Sequence, residues 1–263
     1  MKKILISLII CVLVVSVGAQ SQESIGKVSF PIGDNAVQSK GSVEWNKVRY
    51  FMPVFDQDKI KTEKDSRCEI TFTNKKVMRV GANSVAVLTR DDAGVEEVKM
   101  SKGLAWLSIF LPKGQTKLRV RTPSSVCAIR GTVYRLNCDD IQTTYRCYEG
   151  NISVTPFKED GLTLADSGFS ISSGEELIVV SDFEEYKKLQ EKAFEDFKDS
   201  DMDEFERFQE QDQEDFENMV ETELKEFEEM DNVSFKRSTF NVEEDAESDW
   251  VQWNKERDKL ISE

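Results

Sequence analysis

From Ile25 to Val180 the sequence alternates apolar and polar residues over short runs that never lengthen into a helical period, which restricts most of the chain to an all-β architecture. The alternation is plain in Glu69-Ile70-Thr71-Phe72-Thr73, Val77-Met78-Arg79-Val80, Val85-Ala86-Val87-Leu88 and Lys117-Leu118-Arg119-Val120-Arg121. Successive side chains in such runs fall on opposite faces of a strand. Turn chemistry separates the runs at Gly33-Asp34, Asn74-Lys75, Gly81-Ala82-Asn83, Asp92-Ala93-Gly94, Pro112-Lys113-Gly114, Asp160-Gly161 and Ser173-Gly174. This punctuation suits a sandwich, a barrel or a solenoid.

The pattern changes abruptly at Phe183. Phe183 and Tyr186, Phe194 and Phe197, Phe205 and Phe208, Phe216 and Met219, and Phe227 and Met230 recur at intervals of 11 residues, each pair opening with a residue followed by glutamate. An 11-residue period is about 3.67 residues per turn and keeps a stripe on one face of a nearly straight helix. The sequence therefore predicts one long acidic amphipathic helix over 181–231, capped by Ser181 or Asp182. This segment holds 22 acidic and 6 basic residues, a net charge of −16, against −15 for the whole chain. So acidic a surface repels phosphate backbones, and no nucleic-acid partner is expected.

About 50 residues at 1.5 Å each span about 75 Å, longer than a compact β-domain is wide, so part of the stripe should project and need a cover. Three covers are open. The last 30 or so residues can fold back, using Phe235, Phe240, Trp250 and Trp253, with Trp250, Trp253 and Leu260 on a short helix capped by Ser248 or Asp249. A second copy of the chain can pair with it as a homo-oligomer, against weak charge repulsion. An envelope protein can bind it. Asp199, Asp201, Asp203 and Glu210 match part of a calcium-loop pattern, but Glu204 stands where that loop needs glycine, and helix is the better reading.

At the amino terminus Lys2 and Lys3 precede an apolar run from Ile4 to Val17, and Val17-Gly18-Ala19 offers a cleavage site before Gln20. This reads as an export signal. The run of about 14 residues is short for a membrane span, which needs roughly 20, so an uncleaved anchor is the alternative. Cys11 lies too early, behind too large a residue, for lipid attachment. Export to an oxidising compartment would leave Cys68, Cys127, Cys138 and Cys147. Of the three pairings, Cys138 with Cys147 is favoured because the two flank the turn at Asp139-Asp140; four buried free thiols are the alternative.

The chain has no histidine, which removes histidine-based triads, histidine-ligated metals and most proton shuttles. The cysteines lack Cys-x-x-Cys spacing, and Gly26, Gly33 and Gly41 are too far apart for a phosphate loop. No catalytic residue, cofactor or metal is expected, and the protein is read as a non-enzyme.

The order of short motifs resembles a FecR-like domain. These are Gly41-Ser42-Val43-Glu44-Trp45, Asp58-Lys59-Ile60-Lys61-Thr62 with Asp65-Ser66, Ala82-Asn83-Ser84, Lys102-Gly103, Thr122-Pro123, Ile129-Arg130-Gly131-Thr132, Glu149-Gly150 and Gly174-Glu175. Gln57 stands where the family usually has glycine, and Asn74-Lys75 replaces an Asp-Gly turn. The resemblance implies a mainly β, solenoid-type domain of stacked turns, with Thr122, Pro123, Arg130, Gly131, Thr132, Glu149 and Gly150 in structural roles. In the iron-transport regulators that name the family, an anti-sigma segment and a membrane helix precede the domain.

The sequence thus reads as a signal over 1–19, a FecR-like β-domain over 20–180, the acidic helix over 181–231 and an aromatic tail over 232–263. The expected function is that of a non-enzymatic envelope protein, periplasmic or secreted, whose β-domain docks to a protein or glycan and whose helix presents an assembly surface. The alternative is a periplasmic sensor in FecR-type sigma/anti-sigma signalling. Carbohydrate binding through Trp45, Trp106 and Tyr148 is a third reading, against which burial of these aromatics is the plainer account.

Overall fold

The computed structural model describes residues 23–72, 76–91, 93–109, 118–129, 131–200 and 210–262, without the side chains of 194–200, 210–217 and 262. Two open sheets form the β-domain. The first runs in the order β4 (Pro53–Val54), β1 (Gly26–Ile32), β6 (Arg67–Phe72), β7 (Lys76–Val80), β9 (Glu96–Ile109), β12 (Val133–Cys138), β13 (Gln142–Glu149), β16 (Glu175–Val180), β18 (Val233–Thr239) and β17 (Glu228–Met230). The second runs β3 (Asn46–Lys47), β2 (Asn35–Gln38), β5 (Lys59–Thr62), β8 (Val85–Arg90), β9, β10 (Leu118–Arg121), β11 (Ser125–Ile129), β14 (Asn151–Pro156) and β15 (Phe169–Ser172).

Strand β9 belongs to both sheets. From Glu96 to Lys102 it pairs with β8, and from Gly103 to Ile109 it pairs with β7 and β12. The step falls on Gly103, whose φ of +100° favours glycine and whose added Cβ would lie 2.6 Å from the Cα of Ser84. The Ser84 hydroxyl accepts the Leu104 N–H at 2.9 Å and donates to the Ala82 carbonyl at 2.9 Å, fixing the crossing from the other side.

The alternating residues of the two sheets make one core. Ile70, Met78, Leu107, Leu136, Tyr145 and Leu177 come from the first sheet, and Ile60, Leu88, Val98, Val120, Ile152 and Ile171 from the second. The chain visits the sheets in hairpins: β6 and β7 in the first, β10 and β11 in the second, β12 and β13 in the first, β14 and β15 in the second. Neighbours are accordingly antiparallel, apart from β9 with β10. The mainly β class expected from the alternation is what forms. A solenoid of stacked turns is not shown: each visit to a sheet contributes an antiparallel hairpin, and the two sheets widen in step.

The single long helix over 181–231 also needs correction. Helix α1 spans Phe183–Ser200 and helix α2 spans Glu210–Lys225, while Glu228–Met230 is strand. Asp182 caps α1 by accepting the Glu185 N–H at 2.9 Å. Phe227 packs 5.2 Å from both Phe183 and Tyr186, residues that a straight helix would hold more than about 60 Å from it. Asp231 (φ 52°) and Asn232 (φ 62°) form the two-residue turn of a hairpin, and β18 then returns to β16, with Val180 opposite Ser234. The arm leaves and re-enters the sheet at facing residues.

Beyond the arm, β18 is a strand of the first sheet, and two further helices follow, α3 (Val242–Asp245) and α4 (Asp249–Ser262). Among the described residues no helix is long and apolar enough to cross a membrane. The expected signal, residues 1–19, lies outside the described residues.

Gly103→Ala should lower stability by about 3 kcal/mol, combining left-handed strain with the clash on Ser84. A urea midpoint unchanged from that of the parent would show that the strand crossing tolerates a side chain.

Candidate interaction surface

The outer face of the first sheet carries one row of side chains set by register. Phe30 lies opposite Glu69, Glu69 opposite Arg79, Arg79 opposite Trp106, Trp106 opposite Arg135, Arg135 opposite Arg146, and Arg146 opposite Glu176. Because side chains alternate along each strand, these residues point away from the core made by Ile70, Met78, Leu107 and Tyr145. The row faces residues 240–262, which lie across it.

Each charge in the row has a partner. Glu69 accepts from Arg79 Nε at 2.7 Å, from Arg257 Nη2 at 2.8 Å and from Ser29 Oγ at 2.7 Å. Asp258 accepts from Arg79 Nη1 at 2.6 Å, Trp106 Nε1 at 2.9 Å and Ser108 Oγ at 2.8 Å. Asp245 accepts from Arg146 Nη1 at 2.6 Å and also from Arg135 and Tyr148. Asp249 pairs with Arg67. Glu69 and Arg79 are 1% and 0% exposed, so the clasp buries charge. Apolar packing fills the space between: Trp106, Val133, Tyr148 and Val251 form a second core with Phe240 and Trp250 against it.

Burial alone would raise the Glu69 carboxyl, but hydrogen bonds from Arg257, Arg79 and Ser29 outweigh it and hold the group below the usual range. Its contribution to stability is therefore complete above the ordinary glutamate value of about 4.3 and lost as pH falls through the lower native value. This row was not foreseen. Its signals were single charged residues within strands, Glu69, Arg79, Arg135 and Arg146, which also suit a solvated face.

The described family-motif residues lie at two corners, one at each end of β11 (Ser125–Ile129). Thr122, Ser124, Ser125, Thr143 and Tyr145 form a buried hydroxyl cluster, with Ser125 Oγ 2.8 Å from Tyr145 OH and Thr143 donating to Thr122 at 2.9 Å. Pro123 sits at that corner, between buried Thr122 and Ser124. Gly131 (φ 61°) and Gly150 (φ 79°) turn the chain side by side, and a Cβ on Gly150 would meet Thr132 Cγ2 at 2.6 Å. Glu149 ends β13 there, while Arg130 lies outside the described residues.

The favoured disulfide does not form. Cys138 lies opposite Thr143 and Cys147 opposite Tyr134, four residues apart along the hairpin, or about 13 Å, well beyond the reach of a disulfide. Cys68, Cys127, Cys138 and Cys147 are buried free thiols. Burial pushes Cys68 and Cys138 up to about 12 and Cys147 to about 11.

Of the seam, Phe183, Tyr186 and Phe227 pack together, while Met230 leaves the helix and lies against the main core, with the Ser167 hydroxyl 3.3 Å from its sulfur. Met219 is exposed. Phe194, Phe197 and Phe216 belong to helices whose side chains are not described there, and Phe205 and Phe208 lie outside the described residues, as do Asp201 and Asp203. The tail aromatics fold back, but onto the β-domain and away from the stripe: Phe235 packs 4.3 Å from Phe169, Phe240 5.3 Å from Tyr148 and Trp253 6.5 Å from Phe30. Trp106 and Tyr148 are buried and cannot serve as an exposed sugar platform. Trp45 is exposed, under the ammonium groups of Lys59 and Lys61.

The class defined by these features is an open two-sheet β-domain clasped by its own carboxy-terminal segment. Residues 58–153 match the family model described as FecR protein, from the turn before β5 into β14. Two crystal structures of a protein described as a "putative anti-sigma factor" from Parabacteroides distasonis are similar at 17% identity and a TM-score of 0.39. The likeness covers 47% of this chain and 55% of that one, about half the length of each. No curated protein matches the sequence significantly.

Asp258→Ala should destabilise the protein by about 3 kcal/mol, since it removes one of the two carboxylates that hold buried Arg79 and one of the two acceptors of Trp106. An unchanged denaturation midpoint would show that the pair adds nothing. The four buried thiols should resist a maleimide at pH 8 in the native protein and all react after denaturation without reductant; mass spectrometry showing a protected pair would establish a disulfide.

Proposed function

We propose that the protein is a non-enzymatic sensor of the cell envelope that works in FecR-type sigma/anti-sigma signalling, with its β-domain as the binding module. The observation that carries this reading is the FecR match over residues 58–153, which falls within the two-sheet domain and includes β9, the strand common to both sheets. A domain of this kind acts by binding a protein partner, and the arm formed by α1 and α2 offers a second contact surface. A periplasmic location follows from that role.

A second reading is a stand-alone exported envelope protein that docks to a protein or glycan, with the helical arm as its assembly surface. Two observations favour it. The first is the signal-like order of Lys2, Lys3, the apolar run to Val17 and Val17-Gly18-Ala19. The second is a pair of exposed aromatic residues beside the first strand, Tyr50 and Phe51, with Phe51 held at φ 60°. A left-handed backbone at a large aromatic costs on the order of 1 kcal/mol and projects the ring where solvent or a partner meets it.

The mature amino terminus separates the two. Fractionation of cells producing the native gene product, followed by intact-mass measurement, should find a membrane-retained chain that keeps residues before Gln20 if the sensor reading holds. A soluble chain beginning near Gln20 would overturn that reading in favour of the exported docking protein.

A further inference from the structure

We propose that the outer face of the first sheet is a docking site for an acidic α-helix of another protein, and that residues 241–262 fill it in cis as an exchangeable occupant. The face has the chemistry of such a site. Arg67, Arg79, Arg135 and Arg146 present four guanidinium groups against two carboxylates of the sheet itself, Glu69 and Glu176. Without its cover the face is cationic, floored by Trp106 and Tyr148, whose rings lie 4.6 Å apart. The cover supplies the complement: Asp245, Asp249 and Asp258 on a helical segment, with Val251 and Trp250 toward the aromatic floor.

The connection permits exchange. β18 ends at Thr239, Phe240 bonds to Gly174 at 3.1 Å, and from Asn241 onward the chain is helix and turn joined to the sheet by side chains alone. Residues 241–262 can therefore leave without removing a strand. Folding does not explain the charges either, because an apolar cover of similar volume serves stability as well as buried ion pairs do.

The cis fit is also incomplete. Arg79 is fully buried, yet its Nη2 has no hydrogen-bond partner, and neither has Trp250 Nε1 at the same interface. A helix that places one more acceptor beside Arg79 would satisfy the face better than the chain's own segment does. The inference holds for either reading of the function, and its failure would leave both standing.

The probe is a fluorescein-labelled peptide of residues 241–262, read by anisotropy against the full-length protein and its full-length D245R/D258R variant. In the parent the tethered segment competes at high effective concentration, so the peptide should bind weakly. The variant, whose own segment is repelled by Arg79, Arg135 and Arg146, should bind it at least about 10-fold more tightly, with the gain falling as salt rises. A peptide with asparagine at the three aspartate positions should lose that gain. Amide hydrogen exchange at Leu107 and Tyr145 checks that the variant's core is intact.

A variant with a protected core and no gain in peptide binding would overturn the proposal. Exchange in the parent tests it independently of the variant. Amides of α4 should exchange by local opening, well before those of β9; if they exchange only with the whole β-domain, the segment is an integral part of the fold. Parent chains that trade tails into a stable dimer would place the face between copies and overturn its assignment to a different protein.

Discussion

The architecture depends on the close approach of Gly103 to Ser84. One strand can serve two sheets only if its backbone turns from one ladder to the other within a single residue, and a side chain at that residue would collide with the neighbouring strand. Everything N-terminal to β9 is thereby joined to everything C-terminal to it through one continuous backbone. The hairpins on either side then add to both sheets in step. The sheets remain open because nothing brings β4 or β17 round to meet an opposite edge. Edges of this kind invite further strands, and here they are short.

The two faces of the first sheet follow different rules. Its inner face is packed by aliphatic and aromatic residues, where shape decides the fit. Its outer face is a row of charges whose covering partners arrive from about 100 residues away or more in sequence, 99 for Asp245 on Arg146 and 179 for Asp258 on Arg79. Desolvated charges tolerate few arrangements, because each one left unpaired is costly. The carboxy-terminal segment therefore sits in one register on the sheet even though few of its apolar side chains are buried. Asp245, bridging Arg135, Arg146 and Tyr148, fixes one end, and Asp258 with Arg257 fixes the other.

Much of the fold was legible in the sequence because strand alternation and turn residues are local signals. The FecR resemblance rested on glycines and hydroxyl residues at turns, and Gly103, Gly131 and Gly150 occupy the left-handed positions such motifs serve. The interaction surface was not legible, since a buried arginine and a solvated one look alike in a strand until the covering segment is known. The acidic helix was misread for a related reason. An 11-residue period continues through Phe227 and Met230, yet Phe227 has already returned to Phe183 and Tyr186 and Glu228–Met230 is strand, turned into β18 by Asp231 and Asn232, whose left-handed conformation has no periodicity. The disulfide expectation failed on register: Cys138 and Cys147 are close in sequence, but a hairpin that pairs Cys138 with Thr143 carries them to different rungs.

The arm begins beside Val180 and ends beside Ser234, and these two residues face each other across adjacent strands. To the sheet, the whole acidic excursion is a loop between neighbours, closed at its base by Phe183, Tyr186 and Phe227. Its length is thus uncoupled from the fold. Repeat units can be gained or lost in the arm, one in each leg changing its reach by about 16 Å if helical, while the base and both sheets stay in register. The protein in this sense carries an adjustable spacer on a fixed mount, and relatives with the same β-domain can differ in how far that spacer extends without any change in the residues that hold it.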